Sequence, residues 1–195
     1  MNLTTSTRYY NLFTEAVSSA SKPHEVAKIE MRIASISRSV EKYMNRFVKI
    51  EERTERFTPD NGTGTKSVMV SAYPITEIES VSVYGTELST DEYDVDEASG
   101  IISFKHSVIR EQCQYERAIS VTYTGGMADD TAAFCENYPD IEMEVLTQVN
   151  FEVKRIGDIA MKSVANGQTT SQLNPYGLID SLIVVLDRYR KVEFA

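Results

Sequence analysis

The heptapeptide Asn61-Gly62-Thr63-Gly64-Thr65-Lys66-Ser67 holds the glycines, lysine and hydroxyls with which a phosphate loop wraps a nucleotide. That chemistry needs a glycine immediately before Lys-Ser, and Thr65 stands there. It also needs a strand before the loop and a helix after it, whereas here a strand is expected to follow. The segment reads as a loop tip. Asp91, Asp94, Asp96 and Glu97 could offer oxygens to calcium, but counting from Asp94 the sixth position is Ser99 and Gly100 comes one late. They read as a solvated strand edge running into a hairpin. Ser19-Ala20-Ser21-Lys22 fits the Ser-x-x-Lys pattern of acyl-transfer enzymes, without the partner Lys-Thr-Gly or Ser-Asp-Asn. His24 and His106 have no Ser or carboxylate at a suggestive spacing, and no Gly-x-Ser-x-Gly elbow exists. Cys113 and Cys135 are far apart, with neither histidine near them, so no zinc pattern arises. They read as two reduced, partly buried thiols, a single structural disulfide being the alternative. No catalytic residue, no metal and no cofactor is expected.

The elements that would position a site are clearer. Met1 to Ser21 carries a short apolar stripe, Tyr9, Tyr10, Leu12, Phe13 and Val17, in a Ser- and Thr-rich context. It reads as an N-terminal arm over 1–21, loose or one brief helix, of a kind that packs against a neighbour because alone it buries too little. From 22 to 46 a helix is expected: Pro23 suits a first turn, Glu25 complements the dipole, and Val26, Ile29, Ile33, Ile36, Val40 and Tyr43 recur at spacings of three and four. Over 47–126 the period changes to two. Val68, Val70 and Ala72 alternate, as do Val81 and Val83, Tyr93 and Val95, Ile102 and Phe104, and Ile119, Val121 and Tyr123, with Pro, Gly and Asp between the runs. Such runs are antiparallel strands joined by hairpins.

Helices return over 127–187. Pro139 and Asp140 open one in which Leu146, Val149, Val153 and Ile156 share a face, closed by Gly157. A polar loop is expected at 157–173, then a last helix through Leu178, Leu182, Val185 and Tyr189, and a tail over 188–195. The expected class is α+β. A small bundle of about three main helices carries an antiparallel β-rich insertion between the first and second, the sheet standing on the bundle within one domain over 22–195.

With 195 residues, 42% hydrophobic and 25% charged, the chain is long and apolar enough to bury a core. No apolar run approaches the roughly 20 residues a membrane helix needs, and Met1 to Tyr10 lacks a secretory profile. The chain reads as soluble, acidic and made inside the cell. Its net charge of −9 argues against nucleic-acid binding by phosphate neutralisation. That charge is unevenly spread. Asp129, Asp130, Glu136, Asp140, Glu142, Glu144 and Glu152 fall in a stretch with no Lys or Arg, whereas Arg188, Arg190 and Lys191 crowd the end, beside Tyr189 and Phe194. A chain polarised in this way can dock tail to body or tail to partner, and arginine with aromatics is the composition of an interface anchor.

Several short motifs follow in a set order: Tyr43-Met44-Asn45-Arg46-Phe47, Glu55-Arg56-Phe57, Ala72-Tyr73-Pro74-Ile75, Ile78 to Gly85, Tyr93-Asp94-Val95-Asp96, Ser99-Gly100-Ile101-Ile102, and Ile119 to Gly126 before the later helices. In that order the chain resembles the head–tail connector (adaptor, or head-completion) proteins of tailed bacteriophages, over about Val26 to Arg190. The resemblance implies a non-enzymatic structural protein of the virion neck, assembled in the host cytoplasm. It would form a ring of identical subunits, twelve by analogy, seated under the portal protein, extending the DNA channel and offering a platform to the neck and tail completion proteins. It also implies portal docking by the C-terminal segment, here Arg188, Tyr189, Arg190, Lys191 and Phe194, with channel loops at Gly157–Leu173 or Asn61–Lys66. In the free chain, Tyr9, Tyr10 and the tail could be disordered.

A heterologous ring needs one face that complements another. The acids Asp129, Asp130, Glu136, Asp140, Glu142 and Glu144 are candidates for such a seam or for the channel lining, where they would repel phosphate and let genomic DNA pass without specific binding. The alternatives are a stopper or tail-terminator ring, a host-directed binding protein, or an enzyme whose residues meet only in the fold, around His24 or His106.

Overall fold

The computed structural model describes residues 1–13, 23–59, 64–108, 118–161 and 177–191, with 155–161 described as backbone only. The chain divides into two compact units: Met1–Asn45 with Asp130–Ala195, and Arg46–Asp129. Among the described residues the first holds five α-helices and the second seven strands, so the class is α+β with more helices than the three expected.

In the helical unit, α1 spans Ser6–Phe13, α2 Pro23–Met44, α3 Thr131–Asn137, α4 Pro139–Met161 and α5 Asp180–Leu186. Pro23 opens α2, where a missing amide hydrogen leaves nothing unpaired. Ile29, Ile33, Ile36, Val40 and Met44 then form one fully buried stripe. They meet Ile141, Val145, Leu146 and Val149 of α4, and Leu182 and Leu186 of α5. The N-terminal arm is a correction. It packs within its own chain: Leu3 and Thr4 are buried, the Leu3 amide donates to Ser37 Oγ at 3.0 Å, and Tyr9 is 3% exposed in the core. Tyr9 adds rings on both sides, Tyr10 and Phe13, so the brief helix supplies aromatic area that a bare arm would lack.

The short α3 also escaped the periodicity. Asp130 caps it, its carboxylate accepting from the Ala133 amide at 2.8 Å, and seven residues are too few to show a stripe. Expected to close at Gly157, α4 runs on to Met161, because a single interior glycine costs about 1 kcal/mol and does not by itself end a helix. The remainder of the expected loop, 162–173, lies outside the described residues. Gln148 is fully buried on α4 and fixes the entry to α5. Its Oε1 accepts from the Ile179 amide at 2.8 Å, and its Nε2 donates to the Gly177 carbonyl at 3.1 Å.

The strand unit contains two antiparallel sheets where one was expected. The strands are β1 Glu51–Phe57, β2 Thr65–Met69, β3 Ile75–Val83, β4 Thr86–Glu87, β5 Tyr93–Asp96, β6 Ile101–Val108 and β7 Ile119–Gly125. One sheet runs β1-β7-β3-β4 and the other β2-β6-β5. Ile119, Val121 and Tyr123 point into the core from the central strand β7, and Val68, Ile102 and Val95 lie side by side across the second sheet. Strand β1, Glu-Glu-Arg-Thr-Glu-Arg-Phe, has no apolar alternation. It is an edge strand, where charge protects against stray pairing, and its register against β7 includes a Thr54–Thr122 hydroxyl contact at 3.0 Å.

Two motifs of the sequence meet at the base of this unit. The turn through Ala72 and Pro74, with its cis Tyr73–Pro74 bond, crosses directly over Gly125-Gly126. A Cβ on Gly125 would press on the Ala72 carbonyl and lie 2.9 Å from that of Pro74, and one on Gly126 would come within 2.6 Å of the Lys49 carbonyl. Tyr123 reaches back to the same turn, accepting from the Ala72 amide at 2.9 Å and donating to Glu55. Glu55 also accepts from the Ser71 amide and hydroxyl, so one carboxylate ties β1, β7 and the turn together.

Candidate docking surfaces

The terminal segment and the acidic stretch were expected to face partners, and much of both is engaged within the helical unit. Tyr189 is half-buried. Its hydroxyl donates to Asp140 at 3.0 Å, and its ring stands edge-on to Tyr138 at 5.6 Å. Burial raises its pKa above the usual phenol value, and the neighbouring Asp140 charge adds to that. Arg190 lies 5.3 Å from the Tyr43 ring, and the Tyr43 hydroxyl donates to Asp187 at 2.6 Å, so the segment is held from α2 as well. The Lys191 amide donates to the Met44 carbonyl at 2.9 Å. Arg188 is exposed, and Phe194 lies outside the described residues. Of the two docking modes open to the sequence, tail to body is thus occupied by residues 189–191.

The acids separate by what they touch. Glu142 is buried at 6% exposure, which sets it apart from a lumen or a seam. It accepts from Thr4 Oγ1 at 2.9 Å and from Arg8 at 2.6 Å, so it fastens the N-terminal arm to α4. The same carboxylate lies beside Cys135. Burial first, and then Glu142, push that thiol up to about 12. Cys135 is free and donates to the Leu3 carbonyl at 3.5 Å, whereas Cys113 lies outside the described residues. Glu152 pairs with Arg32 at 3.2 Å and accepts from Gln148 at 3.0 Å, joining α4 to α2.

Asp130 is spent on its helix cap. Asp140 accepts from the Tyr189 hydroxyl and from the Ile141 amide at 2.9 Å, and Glu144 accepts from the Ser181 hydroxyl at 2.7 Å. Asp129 and Glu136 are exposed. Sequence reasoning missed Thr4, Arg8, Ser37 and Gln148. Only Gln148 left a signal, as a polar residue inside an apolar helical stripe.

The readings based on small patterns can be placed too. His24 is exposed on the first turn of α2. His106 lines a cavity of about 320 Å³ with Val83, Leu88, Glu92, Phe104 and Ser107. The Glu92 carboxylate there is taken by the Ser89 amide at 2.8 Å and hydroxyl at 3.0 Å, which hold its pKa below the usual range. His106 and Ser107 are both exposed, and no hydrogen bond joins Ser107, His106 and Glu92 into a nucleophile–base pair. Among the described residues no group of three or more His, Cys, Asp and Glu is placed to hold a metal ion, and no helix is long and apolar enough to cross a membrane. Asn61 to Thr63 and Ser19 to Lys22 lie outside the described residues.

The sequence matches the model of the head completion protein family over residues 3–192. No curated protein matches it. Among solved structures, the fold is similar to a chain of the neck of a native GTA particle computed with C12 symmetry. The TM-score there is 0.51 at 12% identity, covering 93% of this chain and 95% of that one. It is similar also to a chain of the neck of an empty GTA particle computed with C6 symmetry, at 0.52 and 10% identity, covering 97% and 90%. A chain in the virion of a native gene transfer agent particle gives 0.52 at 11% identity, with the same coverage. At these identities the likeness is one of fold.

Proposed function

This chain belongs to the head completion protein family, and from that premise we propose that it is a non-enzymatic adaptor of the virion neck, at the head–tail junction. The family match across residues 3–192 carries the reading. The neck chains of similar fold sit in particles computed with C12 and C6 symmetry, which supports a ring of identical subunits, twelve in the full form. The ring docks on the portal protein, extends the DNA channel, lets the genome pass without specific binding, and receives the neck and tail completion proteins. Assembly takes place in the host cytoplasm.

Within this reading the portal grip falls on Arg188, Tyr189, Arg190, Lys191 and Phe194. The contacts of Tyr189 to Asp140 and Tyr138 and of the Lys191 amide to Met44 fix residues 189–191 on the body, and Arg188 and Arg190 remain exposed at its surface. The exposed acids are left two places, the channel wall or the seam between copies.

The test is electron cryomicroscopy of the purified chain mixed with phage heads or portal rings, with light scattering on the chain alone. Ring density stacked on the portal is the expected result. A variant lacking Arg188–Ala195 is expected to keep its helical signal and to lose attachment. Normal attachment by that variant would refute the grip, and a chain that ignores portals would refute the adaptor reading.

A further inference from the structure

We propose that neighbouring copies of this chain meet through a basic stripe on α2 of one and the acidic outer side of α4 of the next, an inference that rests on the ring reading above. Lys28, Met31, Ser35, Arg38 and Lys42 recur at spacings of three and four on α2, and all five are exposed. They lie opposite the buried Ile29, Ile33, Ile36 and Val40, so they form one outward stripe with no acid in it. Lys28 pairs with Glu25 at 3.2 Å, but Arg38 and Lys42 carry no ion pair among the described residues. Between Lys28 and Ser35 on that stripe stands Met31, 67% exposed, an apolar side chain that a phosphate-binding surface would have no use for.

The outer side of α4 is the counterpart. Asp140, Met143 and Glu144 share it by their spacing, Met143 is 48% exposed, and neither carboxylate has a Lys or Arg ion-pair partner among the described residues. Glu136 adds an exposed acid on α3. Each surface therefore has a methionine among charges of one sign, and the signs are opposite. An apolar centre with a charged rim is the anatomy of a protein interface.

The placement of the two surfaces selects the partner. α2 and α4 pack on each other through their buried sides, joined by the Arg32–Glu152 pair, so their outward stripes face away from one another. A two-fold dimer through either stripe would set like charges together. Head-to-tail contact brings stripe to counter-stripe, and repeated contacts of that kind close a ring.

The experiment uses charge reversal on the full chain, with heads that lack this protein as the template. One variant carries Arg38→Glu and Lys42→Glu, the other Glu136→Lys and Glu144→Lys. Rings per head are counted by electron microscopy, and circular dichroism reports the fold. Each variant alone is expected to assemble at least about tenfold less than the wild-type chain, since like charges then face each other at every seam. An equal mixture of the two is expected to restore assembly, because alternation pairs opposite signs at every seam. Unchanged rings from either variant would overturn the surface assignment and leave the ring reading standing. Loss without rescue by the mixture would overturn the pairing and assign the stripe to the portal. Wild-type chains that form no ring on heads would overturn the ring reading, and this inference with it.

Discussion

Cys135 shows how a single side chain links packing to solution behaviour. Its thiol sits under Leu3 and beside Glu142, and burial and the carboxylate together keep it protonated to about 12. In the unfolded chain it ionises near its ordinary value of 9.0. A folded pKa raised in this way contributes stability that is fully present below pH 9 and is lost as pH rises toward 12. Tyr123 acts in the same direction from its ordinary value of 10.0, because burial and Glu55 oppose its phenolate. The midpoint of thermal unfolding is therefore expected to fall steadily above pH 9, and a Cys135→Ala chain to fall less steeply. A midpoint that stays level from pH 9 to 11 would contradict the assignment. At pH 8 the native thiol should also resist alkylating reagents until the chain is unfolded.

At the scale of elements, the N-terminal arm and the edge strand β1 show where pattern reading stops. The arm has too few apolar residues to predict a docked helix, yet Leu3 and Tyr9 are core residues, and Thr4, Arg8 and Ser37 supply polar fastenings. Leu3→Ala should therefore cost the isolated chain about 2–5 kcal/mol, as other buried leucines do. Urea unfolding of the free protein measures this, with no partner present. A change below about 0.5 kcal/mol, the scale of a surface substitution, would mean that the arm gains its contacts only from a neighbour. Strand β1 escapes for a different reason. Its sequence is charged throughout, and it is a strand because β7 offers seven residues of partner backbone and Glu55 finds Tyr123 and Ser71 beside it. Strong amphipathic runs such as α2 and β7 need no such help, since their own spacing of apolar residues dictates period and buried face.

For the molecule as a whole, two units each with a core of their own imply two opening reactions. Native-state hydrogen exchange is expected to sort protected amides into two sets, one on α2 and α4 and the other on β3, β6 and β7. Leu182→Ala, in the core of the helical unit, should lower the protection of the first set and spare the second. Equal loss in both would show one cooperative core. The sequence by itself determined the α+β class, the excursion of strands between helices, the apolar faces of α2 and β7, and the order of short motifs that resembles the head completion family. Those follow from local periodicity and turn chemistry, which neighbouring residues carry unaided. Only the tertiary structure decided why Gly125 must be glycine, because the turn through Ala72 and Pro74 that excludes a side chain comes from about fifty residues away. It alone decided which acids remain at the surface. Glu142 and Glu144 look alike in sequence, and their fates differ because one helical position meets Thr4 and Arg8 in the interior and the other meets Ser181 at the surface. Contacts between distant residues depend on the packed geometry of several elements at once, and no single stretch of the chain encodes that geometry.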